Sequence, residues 1–193
     1  MATSANHPVN SDLLFCPRLI PASQQQALPD GFAVRPLSIK DYDKGFLQAL
    51  SQLTTVGDLT KEQFVDRFSY LKAHNHEYFT IVIEDVKKSL IIAAGTVFVE
   101  RKFVHNTGLV GHIEDIVTLQ TYRGLNLGKR IIETLKDIGK GRGCYKVILD
   151  CSDKNIPFYE KCGFVHKEYE MVWYIDESKN TPAAAKPIVK SKL

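Results

Sequence analysis

Between positions 78 and 119 the chain alternates apolar runs with short polar breaks. Residues 78–84, 90–104 and 110–119 are rich in Ile, Val, Phe and Thr, the composition of strands. Lys87-Lys88-Ser89 and Asn106-Thr107-Gly108 read as the turns between them. A shorter run over 32–37 predicts an earlier strand. Elsewhere the period lengthens. After Ser38, an N-cap candidate with Asp41 three residues on, Tyr42, Phe46, Leu50 and Leu53 recur at helical spacing. Residues 53–57 break that pattern. Thr60 with Gln63 forms a second capping box, and Phe64, Phe68 and Leu71 mark one apolar face. Ile131, Leu135 and Ile138 predict a third helix, ended by Gly139, Gly141 and Gly143. Residues 145–151 read as a mostly apolar strand expected at the sheet centre. A short helix over 156–161 stops at Gly163, and 164–175 contains a last predicted strand. Hairpins followed by a helical crossover predict an α/β fold: a mixed, mostly antiparallel sheet with helices on both faces.

The ends read differently. Residues 1–30 carry four prolines and a Gln24–Gln26 run, and are expected to form a loosely structured extension. The apolar island Leu13-Leu14-Phe15 within it could dock on the body or a partner chain, or be a local cluster. Residues 176–193 read as a flexible tail, which leaves 31–175 as the single compact domain. The chain has 25 Lys plus Arg against 22 Asp plus Glu, and much of the excess lies beyond 175. A nearly neutral body argues against a nucleic-acid partner. The longest apolar stretch, 90–99, falls short of the ~20 residues a membrane helix needs. Cys16, Cys144, Cys151 and Cys162 show no metal-ligand spacing, and their expected state is reduced, in the cytoplasm. No N-terminal signal pattern is present.

Arg123-Gly124-Leu125-Asn126-Leu127-Gly128-Lys129 lies between a predicted strand and the start of a helix. A helix N-terminus offers about four unpaired amides and a positive dipole end, so an anion could sit here. On spacing alone a plain glycine turn is an equal reading. Two standard phosphate motifs are excluded. Three residues, not four, separate Gly124 from Gly128, and Arg130 stands where a P-loop needs Ser or Thr. The run Gly139-Lys140-Gly141-Arg142-Gly143 ends a helix rather than opening one.

Residues 117–129, with Arg123-Gly124-Leu125-Asn126-Leu127-Gly128, resemble the acetyl-coenzyme A motif of the GNAT superfamily of N-acetyltransferases, Asn126 standing where a glycine is usual. The segment 155–164, with Asn155, Tyr159 and Gly163-Phe164, resembles the second motif of that family. Segments 53–57, 100–105, 111–116 and 144–151 narrow the likeness to members that acetylate an amino-sugar phosphate, over about 31–175. The resemblance implies a single GNAT-type domain. It also implies transfer of acetyl from acetyl-coenzyme A to the 2-amine of glucosamine 6-phosphate, a step in amino-sugar nucleotide synthesis, without an acetyl-enzyme or a metal.

It further implies roles for named residues. Glu114, Asp115 and Asp150 belong near the amine. Since neighbours on a regular strand face opposite ways, Glu114 and Asp115 can share a site only if a bulge re-aims one of them. Ile116, Val117 and Thr118 offer backbone groups to the acetyl carbonyl and the pantetheine arm, which requires the fourth and fifth strands to splay. Arg123 to Lys129 receive the pyrophosphate, Asn155 the arm, and Tyr159 the departing sulfur. Thr54, Lys102, Phe103, Val104 and His105 are the substrate-binding candidates. Tyr174 stands where related chains carry a phosphate-binding Arg. A homodimer with the site near its interface is implied as well. Two rival readings stay open: a GNAT acting on another amine, and a coenzyme A-binding module without catalysis.

Overall fold

A computed structural model describes residues 12–175. Its strands are β1 (Phe32–Pro36), β2 (Tyr78–Asp85), β3 (Leu90–Arg101), β4 (Leu109–Thr118) and β5 (Cys144–Ile148). Its helices are α1 (Ala22–Gln26), α2 (Phe46–Leu50), α3 (Lys61–Ala73), α4 (Val104–Thr107), α5 (Leu127–Gly141) and α6 (Ile156–Lys161). The strands lie in chain order in one sheet, antiparallel except for the parallel pair β4–β5. A parallel pair needs a crossover, and α5 supplies it. Ile131, Ile132, Leu135 and Ile138 of α5 are buried on one face of the sheet. Phe46, Phe64 and Phe68 of α2 and α3 are buried on the other.

Both capping boxes form. The Thr60 hydroxyl accepts from the Gln63 amide while Gln63 accepts from Thr60, and Ser38 and Asp41 exchange the same pair of bonds. Asp41 does double duty. Arg35 on β1 reaches it at 2.7 Å and Glu84 on β2 at 2.6 Å, which ties the first turn to the sheet edge.

The structure departs from the sequence expectations in several places. The helix expected after Ser38 is two pieces, Ile39–Lys44 and α2, because Gly45 between them takes a left-handed φ of 81°. Strand β3 stops at Arg101, and His105, Asn106 and Thr107 beyond it all have positive φ. Helix α5 runs through Gly139 to Gly141; the left-handed glycine that follows it is Gly143. Strand β5 is not central: among the described residues it pairs only with β4, and it is largely exposed. The neighbour it lacks is the strand expected within 164–175, where none forms among the described residues.

Packing also continues ahead of residue 30. Leu14 and Phe15 are fully buried, Phe15 edge-on to Phe79 at 5.2 Å. The Leu14 amide donates to the Leu37 carbonyl at 2.8 Å, and Gln24 donates to Asp137 of α5 at 2.8 Å. The apolar island therefore docks on the body. Residues 1–11 and the tail 176–193 lie outside the described residues.

Candidate active site

The register of β3 with β4 contains one irregularity. Thr96 pairs with Glu114 and Ala94 with Val117, so Gly95 alone faces Asp115 and Ile116. Asp115 adopts φ 55°. This is a β-bulge, and it bends the strand and redirects side chains. Glu114 and Asp115 consequently line one cavity of about 590 Å³, roofed by α2, α3 and the segment between them. Thr54, on that segment, lines the same cavity. Gly95 makes room: a Cβ there would lie 2.5 Å from Ile116 Cδ1 and 2.6 Å from Ile131 Cγ2. Ile116 thus packs its side chain toward α5 and offers the site only its backbone.

The carboxylates are electrostatically coupled. Burial pushes the Glu114 carboxyl above its ordinary value, and the negative charges of Asp115, Asp150 and Glu170 add to this, against the opposing pull of His112. Burial also raises Asp115. Asp150, just past β5, is thus within electrostatic reach of Glu114. Beside them Glu100 accepts from Lys102 Nζ at 2.7 Å and lies 2.9 Å from His112 Nε2, and these two contacts hold its carboxyl low.

A second opening lies on the far side of β4. Its pairing with β5 ends at His112–Ile148, so residues 113–118 present an edge that β5 does not cover. Helix α5 begins at the end of this edge. Gly124 and Asn126 both take left-handed φ, 86° and 58°, and no side chain caps the helix. Asn is among the few residues that tolerate this conformation, which accounts for Asn126 in a position where glycine is usual. The first turn of α5 carries no acidic residue, and Arg123 and Lys129 form no ion pair among the described residues. Leu127 is buried, so it supplies only its backbone, whereas Leu125 is exposed.

Helix α6 faces this opening. A Cβ on Gly128 would meet Phe158 Cζ at 3.4 Å and Thr118 Oγ1 at 3.6 Å, which brings β4, α5 and α6 together at one point. Tyr159 is half-buried. Burial raises its phenol pKa, with Cys151 and Cys162 adding to the shift, and its hydroxyl makes no hydrogen bond among the described residues. Asn155 stands at the N-cap of α6 with its side chain uncommitted to the helix.

Not every expected residue joins these openings. Lys102 is turned to Glu100. Phe103 is 98% exposed, Val104 is exposed, and the His105 ring lies 4.2 Å from that of Tyr145. Tyr174 is exposed on a segment without regular structure. One cavity residue was missed: Arg67 of α3 lines the same cavity as Thr54, Glu114 and Asp115. Its signal was available, since it lies three residues after Phe64 and four before Leu71, inside an apolar stripe.

A splayed sheet edge, an uncapped glycine-bearing helix start and a carboxylate-lined cavity share one strand, and comparison with known proteins gives the arrangement a class. Residues 44–164 match the acetyltransferase (GNAT) family, and the chain belongs to it. That family uses acetyl-coenzyme A as acyl donor. A glucosamine 6-phosphate N-acetyltransferase of Dictyostelium discoideum is 55% identical over 146 residues, covering 76% of this chain and 92% of that protein. The crystal structure of glucosamine-6-phosphate N-acetyltransferase from Arabidopsis thaliana superposes with a TM-score of 0.74 at 46% identity, over 75% of this chain and 99% of that one. A predicted acetyltransferase from Clostridium acetobutylicum, crystallised with acetyl-CoA, shares the fold at a TM-score of 0.56 and 19% identity, over 77% of this chain and 97% of that one. Among the described residues no helix is long and apolar enough to cross a membrane.

Proposed function

We propose that this chain moves the acetyl group of acetyl-coenzyme A to the 2-amine of glucosamine 6-phosphate by direct attack. The observation that carries the reading is the bulge at Asp115. It turns two carboxylates into one cavity beside the uncovered edge of β4, where an acyl donor and an amine can meet. The amine reaches the enzyme largely as ammonium and must lose a proton. Glu114 and Asp115 favour proton uptake because burial raises both, and the negative charges of Asp115 and Asp150 raise Glu114 further. The amine nitrogen then bonds to the thioester carbon and the carbon–sulfur bond breaks. Tyr159, whose hydroxyl makes no hydrogen bond among the described residues, gives the departing thiolate a proton or a hydrogen bond. Backbone groups of Ile116, Val117 and Thr118 take the acetyl oxygen and the pantetheine amides, much as a strand edge takes a peptide. Arg123 to Lys129 take the pyrophosphate, and Asn155 the arm. All four cysteines are free thiols and none is needed as a nucleophile, which fits a reducing cytoplasm.

The same reading makes the molecule a homodimer. Among the described residues one edge of β5 is unpaired, and the segment after Phe164 exposes Met171, Trp173 and Ile175 together. A second copy covers such a surface, and a strand exchanged there would carry Tyr174 toward the partner's cavity. Lys102 and His105 would take part in phosphate binding at that junction. Light scattering at micromolar concentration should return twice the chain's mass.

The functional test is thiol release from acetyl-coenzyme A with glucosamine 6-phosphate, glucosamine and spermidine in parallel. A sugar-phosphate acetyltransferase uses the first best, by on the order of 10²-fold over glucosamine, because a site built for a phosphate is left unsatisfied without it. Equal use of the two sugars rejects the substrate, and release with none rejects the enzyme.

A further inference from the structure

We infer that Lys136 of α5 is a positioning residue for the acetyl transfer: it anchors the C-terminal turn of α6 and so aims the Tyr159 hydroxyl at the departing sulfur. The inference rests on the role proposed above for Tyr159. Helix α6 has six residues and buries none of them fully. So short a helix does not hold itself in water, and its direction depends on where the body fastens it. Its N-terminus has no side-chain cap. The amides of Asn155, Cys162, Gly163 and Phe164 bond inside the segment, to the carbonyls of Ser152, Tyr159, Glu160 and again Tyr159.

Lys136 reaches across to the C-terminal end. Its ammonium donates to the Cys162 carbonyl at 2.6 Å. The last carbonyls of a helix lack partners within it, and a cation there also meets the negative end of the dipole. Cys162 is itself buried, which fixes the carbonyl it presents. The turn that Lys136 caps is built on Tyr159, whose carbonyl accepts from the amides of Cys162 at 2.9 Å and Phe164 at 3.1 Å. The same ammonium lies 5.8 Å from the centroid of the Phe164 ring, and that ring meets the Tyr159 ring edge-on at 6.2 Å. Glu133, one turn earlier on α5, steadies the ammonium at 3.4 Å. Lys136 thus grips both the backbone turn and the ring on which Tyr159 leans.

The experiment measures steady-state thiol release, with acetyl-coenzyme A and glucosamine 6-phosphate each varied. It compares the native chain, Lys136→Met, Lys136→Arg, Tyr159→Phe and the double variant that combines Lys136→Met with Tyr159→Phe. The Lys136 side chain is 33% exposed and Met is a good helix former, so α5 should keep its packing. In Lys136→Met, kcat should fall by on the order of 10-fold, as small misplacements cause, with KM for the sugar unchanged. Lys136→Arg, which keeps the charge and a donor, should restore most of it. In the Tyr159→Phe chain the Lys136→Met change should cost nothing further, since no hydroxyl is left to aim. A merely structural lysine would slow the Tyr159→Phe chain by the same factor as the native one. That additivity, or a native kcat in Lys136→Met, overturns the inference while the functional reading stands. If Tyr159→Phe alone keeps the native kcat when chemistry limits turnover, the role of Tyr159 fails and takes this inference with it.

Discussion

Gly95 is the residue on which the proposed site geometry most directly depends, and Gly95→Ala tests that dependence. The added methyl would sit 2.5 Å from Ile116 Cδ1, 2.6 Å from Ile131 Cγ2 and 3.1 Å from Leu135 Cδ1. Ile131 and Leu135 are fully buried and cannot retreat, so the strain falls on Ile116 and on the bulge beside it. Replacing glycine by alanine in a strand gains roughly 0.5–1 kcal/mol of backbone entropy. Overpacking a tight core costs roughly 1–3 kcal/mol, and two contacts far inside van der Waals range put this site at the upper end. The net effect should be a destabilisation of about 1–2 kcal/mol, read as a fall in Tm of about 2–8 °C for a chain this size. Displacing Ile116 also moves Asp115, and kcat should drop by roughly 10–10²-fold, as small errors in placement do. Gly141→Ala is the control: nothing lies within 4 Å of its Cβ, and it ends a helix, so stability should hold or rise. Calorimetry and steady-state thiol release read both quantities. A Gly95→Ala protein with native Tm and native kcat would refute the bulge as the source of the site's geometry.

Gly128→Val should weaken acetyl-coenzyme A binding more than tenfold, because its branched side chain fills the space between Thr118 and Phe158 above the α5 amides; calorimetric titration at the native level removes this site. Tyr159→Phe should lower kcat by roughly 10²–10⁴-fold with little change in KM, and an unchanged kcat when chemistry limits turnover demotes the hydroxyl to packing. The acid limb of the pH profile of kcat/KM should lie above the ordinary carboxylate range, since burial and then like charges raise Glu114. Asp150→Asn removes one of those charges, so the limb should move to lower pH; movement upward, or none, breaks the assignment of Glu114 as proton acceptor.

The fold was legible where local signals agreed. Capping boxes at Ser38 and Thr60, turn residues between strands, and the i, i+4, i+7 spacing of Ile131, Leu135 and Ile138 each announced an element that forms. Gly45 was overlooked because helical spacing runs across it from Tyr42 to Leu50, and only its left-handed φ reveals the break. Strand β5 misled because an apolar composition reads as central, whereas among the described residues β5 is an edge strand paired with β4 alone. Asp115 could be named but not placed, since one sequence does not say which residue of a strand goes unpaired. Arg67 was passed over because a charge on a helix is usually solvated, and only the folded chain shows that it lines the cavity.

The two openings on β4 have one physical origin. A bulge bends its strand and increases the local twist. The bulged residue, Asp115, follows the last β4–β5 pair, His112 with Ile148, by three positions. The bend therefore begins where pairing with β5 ceases, and it carries 113–118 off the line that β5 follows. On one side this frees a strand edge; on the other it swings Asp115 alongside Glu114 into the cavity. The proposed donor and acceptor sites are thus coupled through the backbone of a single strand rather than through side chains between them. A lesion at Gly95 should accordingly impair both half-sites together, whereas Gly128→Val should touch only the donor side.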